Sequence, residues 1–290
     1  MEYKILKNGF KIPVLGLGTG GIGSLFDTIT FKNKKNISII KEAIKLGFRH
    51  IDTAAIYANG YCEKLIGEAI SEFNRKELFI TTKVSPDNLM YNDLINSSEK
   101  SLERLKINYI DLYLIHAPNP EIKLSDTMPA MDYLIEKKLV KYIGVSNFSV
   151  EQLREAQRYA KNKIVANQIE YNLLVRNKST NKYLTGQNIK MESEIIPYCQ
   201  RNDIMVIAYR PLAKGELFNQ RTIILDGLCK KYNKTRAQIG LNWLISKKNI
   251  VTIPKSTNIK HLIENLGALG WELDKEDILK LDQLNFNLRK

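Results

Sequence analysis

Four side chains capable of acid–base work fall at or just beyond the ends of three successive apolar, strand-like runs. Asp52 closes "FRHID" (48–52), with Tyr57 just after it in "IDTAAIY". Lys83 stands near the end of "LFITTKV" (78–84), and His116 ends "YIDLYLIH" (109–116). A free tyrosine, with a pKa of about 10, is a poor acid or base near neutrality. An ammonium beside it stabilises the phenolate and lowers that value; Lys83 would do this for Tyr57, with Asp52 holding the ammonium charged and in place. His116 would orient a substrate oxygen by donating a hydrogen bond. Together they make a proton donor poised for a developing alkoxide. That is what carbonyl reduction by hydride transfer requires, and it requires no metal. Each residue has a plainer reading: a solvated lysine, an aspartate capping the next segment, a packed histidine before Ala-Pro. Their recurrence at three successive strand ends favours the chemical one.

Residues so far apart in sequence meet only if the strands run parallel and their ends converge, as at the mouth of a barrel. The pattern supports this. "YKILKNGFKIPVL" reads as a two-stranded hairpin turning at Asn8-Gly9. Eight candidate strands follow, near 14–18 and at 48–52, 78–84, 109–116, 141–146, 165–171, 204–209 and 249–254. Between them lie amphipathic stretches. "ISIIKEAIKLG" ends on Gly47, "CEKLIGEAI" follows, and "DLINSSEKSLERLK" starts at Asp93 with Ile95, Leu102 and Leu105 on one face; "VEQLREAQRYAK" and "RAQIGLNWLISKK" also have helical spacing. Alternating βα units imply a closed parallel barrel or a doubly wound sheet. No Pro/Gly/Ser-rich linker divides the chain, so residues 1–290 read as a single domain. The stretch 176–193 is polar and unpatterned, a long loop after the sixth strand.

The glycine-rich run "VLGLGTGGIG" (14–23) spells GxGxxG twice, the fingerprint of a dinucleotide cradle. Such a cradle opens directly into a helix whose N-terminus meets pyrophosphate. Here "SLFDTITFKNKKN" intervenes before helical spacing begins near Ile37, and Asp52 lies further on than the usual acidic residue. The run reads instead as a turn on the first barrel strand.

The 290 residues carry 44 Lys and Arg against 31 Asp and Glu, a net charge of +13. The lysines are scattered and often sit beside acidic residues, which describes a solvated surface rather than a nucleic-acid interface with clustered cations and interleaved aromatics. No apolar run approaches the roughly 20 residues that span a bilayer, and the N-terminus lacks a signal-peptide core. A cytoplasmic protein with no membrane or nucleic-acid partner is expected. Cys62, Cys199 and Cys229 form no CxxC and suggest neither a disulfide framework nor a metal site. Three histidines, His50, His116 and His261, are too few for a barrel metallohydrolase, so no metal is expected.

The motifs "GFRHIDTAAIY", "FITTKV", "IDLYLIHAP", "YIGVSNFS", "NQIEYN", "IAYRPLAKG" and "IPKSTN…ENLGAL", in this order and spacing, resemble the aldo-keto reductase superfamily from the hairpin to about Leu281. The resemblance implies a TIM (β/α)8 barrel whose N-terminal hairpin closes the bottom, a monomer, and NADPH/NADP+ as cofactor with NADH possible. It implies reduction of aldehydes and ketones, reversibly, with Tyr57 as general acid, Lys83 and Asp52 assisting, and His116 positioning the carbonyl. It also implies a cofactor groove. Ser146, Asn147 and Gln168 would bind the nicotinamide carboxamide, Tyr209 would stack on the ring, and Thr19 and Asp52 would lie near its ribose. Leu212 would approach the pyrophosphate. Lys255, Ser256 and Thr257 would meet the 2′-phosphate where the chain enters a helix, while Glu264 and Asn265 would reach the adenine.

Three departures from the family pattern carry expectations of their own. His261 stands where relatives often have Arg, which loosens the preference for NADPH over NADH; Arg210, where many relatives carry Ser, is expected to supply compensating charge along the phosphate groove. Ala117 stands where relatives often have Trp and is expected to widen the pocket beside His116, giving broad aldehyde tolerance. The 176–193 loop is longer than in close relatives, either a cover for the site or a surface insertion. The alternative function is a nicotinamide-binding redox sensor or regulatory subunit, against which the complete Asp52, Tyr57, Lys83, His116 set argues.

Overall fold

Gly9 takes φ 84° at the turn, and the Asn8 side chain accepts from the Phe10 amide at 3.0 Å. This folds β1 (Tyr3–Ile5) antiparallel onto β2 (Lys11–Pro13). Phe10 then projects from the hairpin and packs edge-on against Phe79 and Tyr142, with centroids 5.9 and 4.9 Å away. Both partners lie near the N-terminal ends of barrel strands, so the hairpin plugs the bottom. The Lys4 ammonium donates to the carbonyls of Lys247 and Ile250, and Asp203 accepts from the amides of Lys7 and Asn8.

The computed structural model of the chain describes residues 1–23, 30–177, 190–220 and 222–284. Eight parallel strands form one sheet in sequential order: β3 (Gly16–Gly18), β4 (His50–Asp52), β5 (Phe79–Val84), β6 (Ile110–Ile115), β7 (Val140–Ser146), β8 (Ile164–Glu170), β9 (Met205–Tyr209) and β10 (Ile250–Thr252). A parallel bridge between Leu15 and Thr252, with the Gly18 amide donating to the Pro254 carbonyl at 3.0 Å, joins the last strand to the first. The sheet is therefore a TIM barrel with an N-terminal hairpin, not a doubly wound sheet.

The outer layer is α1 (Thr30–Lys45), α2 (Tyr61–Ile70), α3 (Tyr91–Leu105), α4 (Leu124–Glu136), α5 (Val150–Tyr159), α6 (Ile196–Arg201), α7 (Glu216–Asn219), α8 (Ile223–Tyr232), α9 (Arg236–Ser246), α10 (Ile259–Leu266) and α11 (Lys275–Asp282). Among the described residues no helix is long and apolar enough to cross a membrane. Strand residues fill two layers. Leu112, Leu114, Ala166, Met205, Ile207 and Val251 pack inside with the hairpin, while Tyr113, Ile115, Ile143, Val145 and Val206 pack outward against the helices.

Helices α4, α6, α8 and α11 were not read from the sequence, and α1 starts earlier than expected. α1 begins at Thr30, a full turn and more before Ile37. Its first turns bury Asn33 and Asn36, and the Asn33 amide donates to the Tyr61 hydroxyl at 2.8 Å. The stretch "TFKNKKN" (30–36) contains a single apolar residue, which leaves no apolar period to detect. α4 contains Pro129, which discourages a helical reading, yet Leu124, Met128, Met131 and Leu134 are buried along it. The central part of the 176–193 loop falls at 178–189, outside the described residues.

The glycines of β3 are explained by close approach. A Cβ on Gly16 would lie 2.5 Å from His50 Nδ1, and one on Gly18 would lie 2.6 Å from the Ile253 carbonyl oxygen. Barrel closure, not a phosphate, requires them.

Candidate active site

Register places the quartet. Asp52 pairs with Thr81 across β4 and β5, and Lys83 lies two residues beyond Thr81 on the same strand. Side chains at a paired position and two residues on share a face, so Asp52 and Lys83 both project into the barrel near its C-terminal end. Lys83 Nζ donates to Asp52 Oδ1 at 2.7 Å and to the Thr53 carbonyl at 2.7 Å. The two side chains are 0% and 2% exposed. The Tyr57 ring takes the remaining side of the ammonium, its centroid 5.3 Å from Nζ. His116, directly after β6, meets Tyr57 edge-on with centroids 5.6 Å apart. The structure thus gathers all four residues. A buried ion pair is weak evidence for stability, so its retention at a cavity floor points to chemistry.

Burial shapes the protonation states. Burial pulls Lys83 down, but Asp52 and Tyr57 outweigh it and carry the net direction upward, so the ammonium keeps its proton. Burial pushes Asp52 up, opposed by Lys83 and by a hydrogen bond from Gln168. Tyr57 is also raised, by burial first, with Lys83 pulling the other way. This corrects the sequence expectation of a lowered tyrosine: the ammonium acts in the expected direction but desolvation is larger, and the phenol stays protonated. His116 is lowered to about 3 by burial and by the Lys83 charge. It is a neutral imidazole, and its buried Nδ1 has no hydrogen-bond partner among the described residues.

These groups open onto a cavity of about 980 Å³ at the mouth of the barrel, at the upper end of the range for small-molecule sites. Thr19, Asp52, Tyr57, His116, Ser146, Asn147 and Gln168 line its inner part; Tyr209, Arg210, Leu212, Lys255, His261, Glu264 and Asn265 line the rest. Lys83 sits behind the wall. Ser256 and Thr257 do not line the cavity: the Ser256 hydroxyl donates to the Asn258 carbonyl and accepts from the Asn258 amide, shaping the entry to α10. Ala117 is fully buried and is not among the residues that line the cavity.

Several side chains on the inner wall are joined to one another. Gln168 Nε2 donates to Asp52 Oδ2 at 2.7 Å. Asn147 Nδ2 donates to the His116 carbonyl and to Ser146 Oγ, each at 3.0 Å, and its Oδ1 accepts from the Tyr209 hydroxyl at 3.0 Å. Thr19 Oγ1 donates to the Asp52 carbonyl at 2.8 Å. Arg210 pairs with Glu170 at 3.2 Å, and that carboxylate is 2% exposed. Glu170 therefore offsets much of the charge Arg210 was expected to bring to the groove.

Part of the backbone strain lies at the same mouth. Ala58 and Asn59 after β4, Asn147 after β7, and Arg210, Ala213 and Lys214 after β9 all have φ between 48° and 64°. Non-glycine residues in this region cost energy and concentrate where side chains must be aimed.

The wall also includes Gly20 of the glycine-rich run, and Ile56, Pro211, Lys214, Gly215, Phe218, Ile253 and Pro254, which were not singled out from the sequence. Each follows a barrel strand, so reading every post-strand loop as a wall would have found them. Lys214 and Lys255 give the outer wall a cationic character suited to an anionic chain, and Tyr209 and Phe218 give it aromatic surface.

A model of the Aldo/keto reductase family matches residues 14–285. Glyoxal reductase of Bacillus subtilis (strain 168) is 37% identical over 282 residues, covering 97% of this chain and 91% of the relative. The thermostable aldo-keto reductase Tm1743, solved with the inhibitor epalrestat, superposes with a TM-score of 0.85 at 39% identity, covering 97% of this chain and 99% of that one. An aldo-keto reductase from Klebsiella pneumoniae, solved with NADPH, gives a TM-score of 0.84 at 29% identity, covering 98% and 95%.

Proposed function

Since this chain belongs to the aldo/keto reductase family and is an oxidoreductase, we propose that it reduces aldehydes and ketones to alcohols with NADPH, using Tyr57 as the general acid. The observation that carries this reading is the buried Lys83–Asp52 pair behind Tyr57, with neutral His116 beside it at the floor of one cavity. The Klebsiella relative holds NADPH and the Bacillus relative is named for glyoxal, which supports the cofactor and a reactive aldehyde as the first substrate to try.

The residues present fit such a cofactor. Tyr209 and the Ser146, Asn147, Gln168 group would hold the nicotinamide end, and Leu212, Lys214 and Arg210 the phosphate chain. Lys255 and His261 would meet the 2′-phosphate, and Glu264 and Asn265 the adenine. When bound, the reduced nicotinamide supplies a hydride to the carbonyl carbon. His116 donates a hydrogen bond that fixes the carbonyl oxygen near Tyr57. The Tyr57 O–H bond breaks as its proton passes to that oxygen, and the Lys83 ammonium stabilises the phenolate left behind. Asp52 holds Lys83 in place and charged. In the opposite direction the phenolate takes the alcohol proton.

The test is consumption of NADPH and NADH with glyoxal and an aromatic aldehyde, by the native protein and by Tyr57→Phe. Turnover that collapses in the variant while cofactor binding persists supports the reading. Cofactor binding without turnover by the native protein overturns it in favour of a sensing or regulatory role.

A further inference from the structure

We propose that Gly20 sets which carbonyl compounds the site admits, by leaving open the space against the Tyr57 hydroxyl so that ketones and α-branched aldehydes fit beside the proton donor. The inference rests on the reductase reading of the same site.

Gly20 is exposed on the cavity wall. A Cβ built there would have Tyr57 Cζ at 3.6 Å, the hydroxyl oxygen at 3.7 Å and Cε2 at 3.8 Å as its three nearest atoms. A side chain at this position would therefore begin beside the edge of the phenol, within contact distance of the oxygen that gives up its proton. These distances are ordinary van der Waals contact, so a methyl group fits without displacement.

Backbone conformation does not require glycine here. The left-handed glycines in this run are Gly21 and Gly23, each with φ 82°; Gly20 is not among them. Nor does packing require it, in contrast to Gly16 and Gly18. What glycine supplies at position 20 is room. Ile56 and His116 line the same cavity near Tyr57, so a substituent on the carbonyl carbon that cannot pass them has the Gly20 side available.

The experiment compares propanal with two bulky carbonyls, trimethylacetaldehyde and acetophenone, using NADPH and the native protein, Gly20→Ala, Gly20→Leu and Gly20→Phe. The quantity read is the ratio of kcat/KM for the bulky carbonyl to that for propanal. Pocket-size effects of one or a few carbons are worth about 10- to 200-fold. The expected result is a ratio that falls in the order Gly, Ala, Leu, Phe, by at least about tenfold at Phe. A ratio that stays constant while both substrates lose activity together overturns the proposal, as does a native protein that reduces propanal and neither bulky carbonyl. A native protein that reduces none of the three overturns the reductase reading instead. NADPH binding, followed by fluorescence, identifies folded variants; if Gly20→Phe fails this check, the order Gly, Ala, Leu decides.

Discussion

Gln168 and Asp52, separated by 116 positions in sequence, are joined by a 2.7 Å hydrogen bond in the barrel interior. The resemblance assigns Gln168 to the cofactor carboxamide alone. Its amide in fact helps to hold the second oxygen of the carboxylate that fixes Lys83. Gln168→Leu should therefore lower kcat by about tenfold, the effect of losing a hydrogen bond of 1–2 kcal/mol to a charged group. Gln168→Glu should cost more, and increasingly so as pH rises, because two adjacent carboxylates must share a proton. Single-turnover rates alongside NADPH titrations separate this from a simple loss of cofactor affinity.

The quartet was legible in the sequence because its chemistry recurs at strand ends, and barrel topology guarantees that strand ends meet. The eight strands were legible because parallel strands buried on both faces are continuously apolar. What escaped has physical causes. The first turns of α1 read "TFKNKKN", with one apolar residue, so they carry no apolar period. The direction of the Tyr57 shift depends on desolvation, which no motif encodes. The partner of Arg210 is Glu170, on a different strand and read only as part of "NQIEYN". Gly20 looked like one more glycine in a glycine-rich turn.

Tyr57→Phe should abolish the proton donor while leaving the cavity intact. The expected loss in kcat is about 10²- to 10⁴-fold, the range for a general acid, with NADPH affinity changed little. Lys83→Met should give a loss of similar size for a different reason. It removes the charge that pulls Tyr57 downward and leaves Asp52, already pushed up by burial, without its cation. Steady-state kinetics of both variants, with NADPH titrations, checks this. A Lys83→Met protein with native kcat would be incompatible with the proposed role of the pair.

The pH dependence of reduction follows from the same directions. Tyr57 and Lys83 are both raised, and His116 is lowered to about 3. None of the three changes protonation in the neutral range. The reduction rate at saturating cofactor should be flat there and fall only on the alkaline side. A kcat profile with an inflection near pH 6.5 would show His116 titrating as an exposed histidine and would contradict the geometry.

Cofactor choice should respond to His261 and Lys255, which line the outer cavity. His261→Arg adds a permanent charge and a forked donor where the 2′-phosphate is expected. It should raise the NADPH-over-NADH ratio of kcat/KM by about tenfold, one charge-assisted contact. Lys255→Ala should lower the same ratio by a similar factor. Arg210→Ser should shift it less than either, because Glu170 already neutralises that guanidinium, and should instead lower stability by stripping a partner from a buried carboxylate. Side-by-side kinetics with both nucleotides, and a urea melt of Arg210→Ser, test the three expectations.

Acid stability should be governed by two histidines. His50 is fully buried, with Nε2 2.9 Å from Thr81 Oγ1, and is lowered to about 3 by burial and by the Lys83 charge. His116 is lowered to a similar value. In the unfolded chain both titrate near 6.5, as an unperturbed histidine does. At pH 7 the folded histidines are neutral and the unfolded ones only about a quarter protonated, so the shifts have little effect. As pH falls from about 6.5 toward 3, the unfolded chain binds two protons that the folded chain refuses, so stability is lost. The slope approaches about 1.4 kcal/mol per pH unit for each histidine. Urea midpoints measured between pH 7 and 4.5 should fall steeply, and His50→Asn should remove close to half of the slope contributed by the pair. A His50→Asn protein with the native slope would mean that the carboxylates, not the buried imidazoles, set the acid limit.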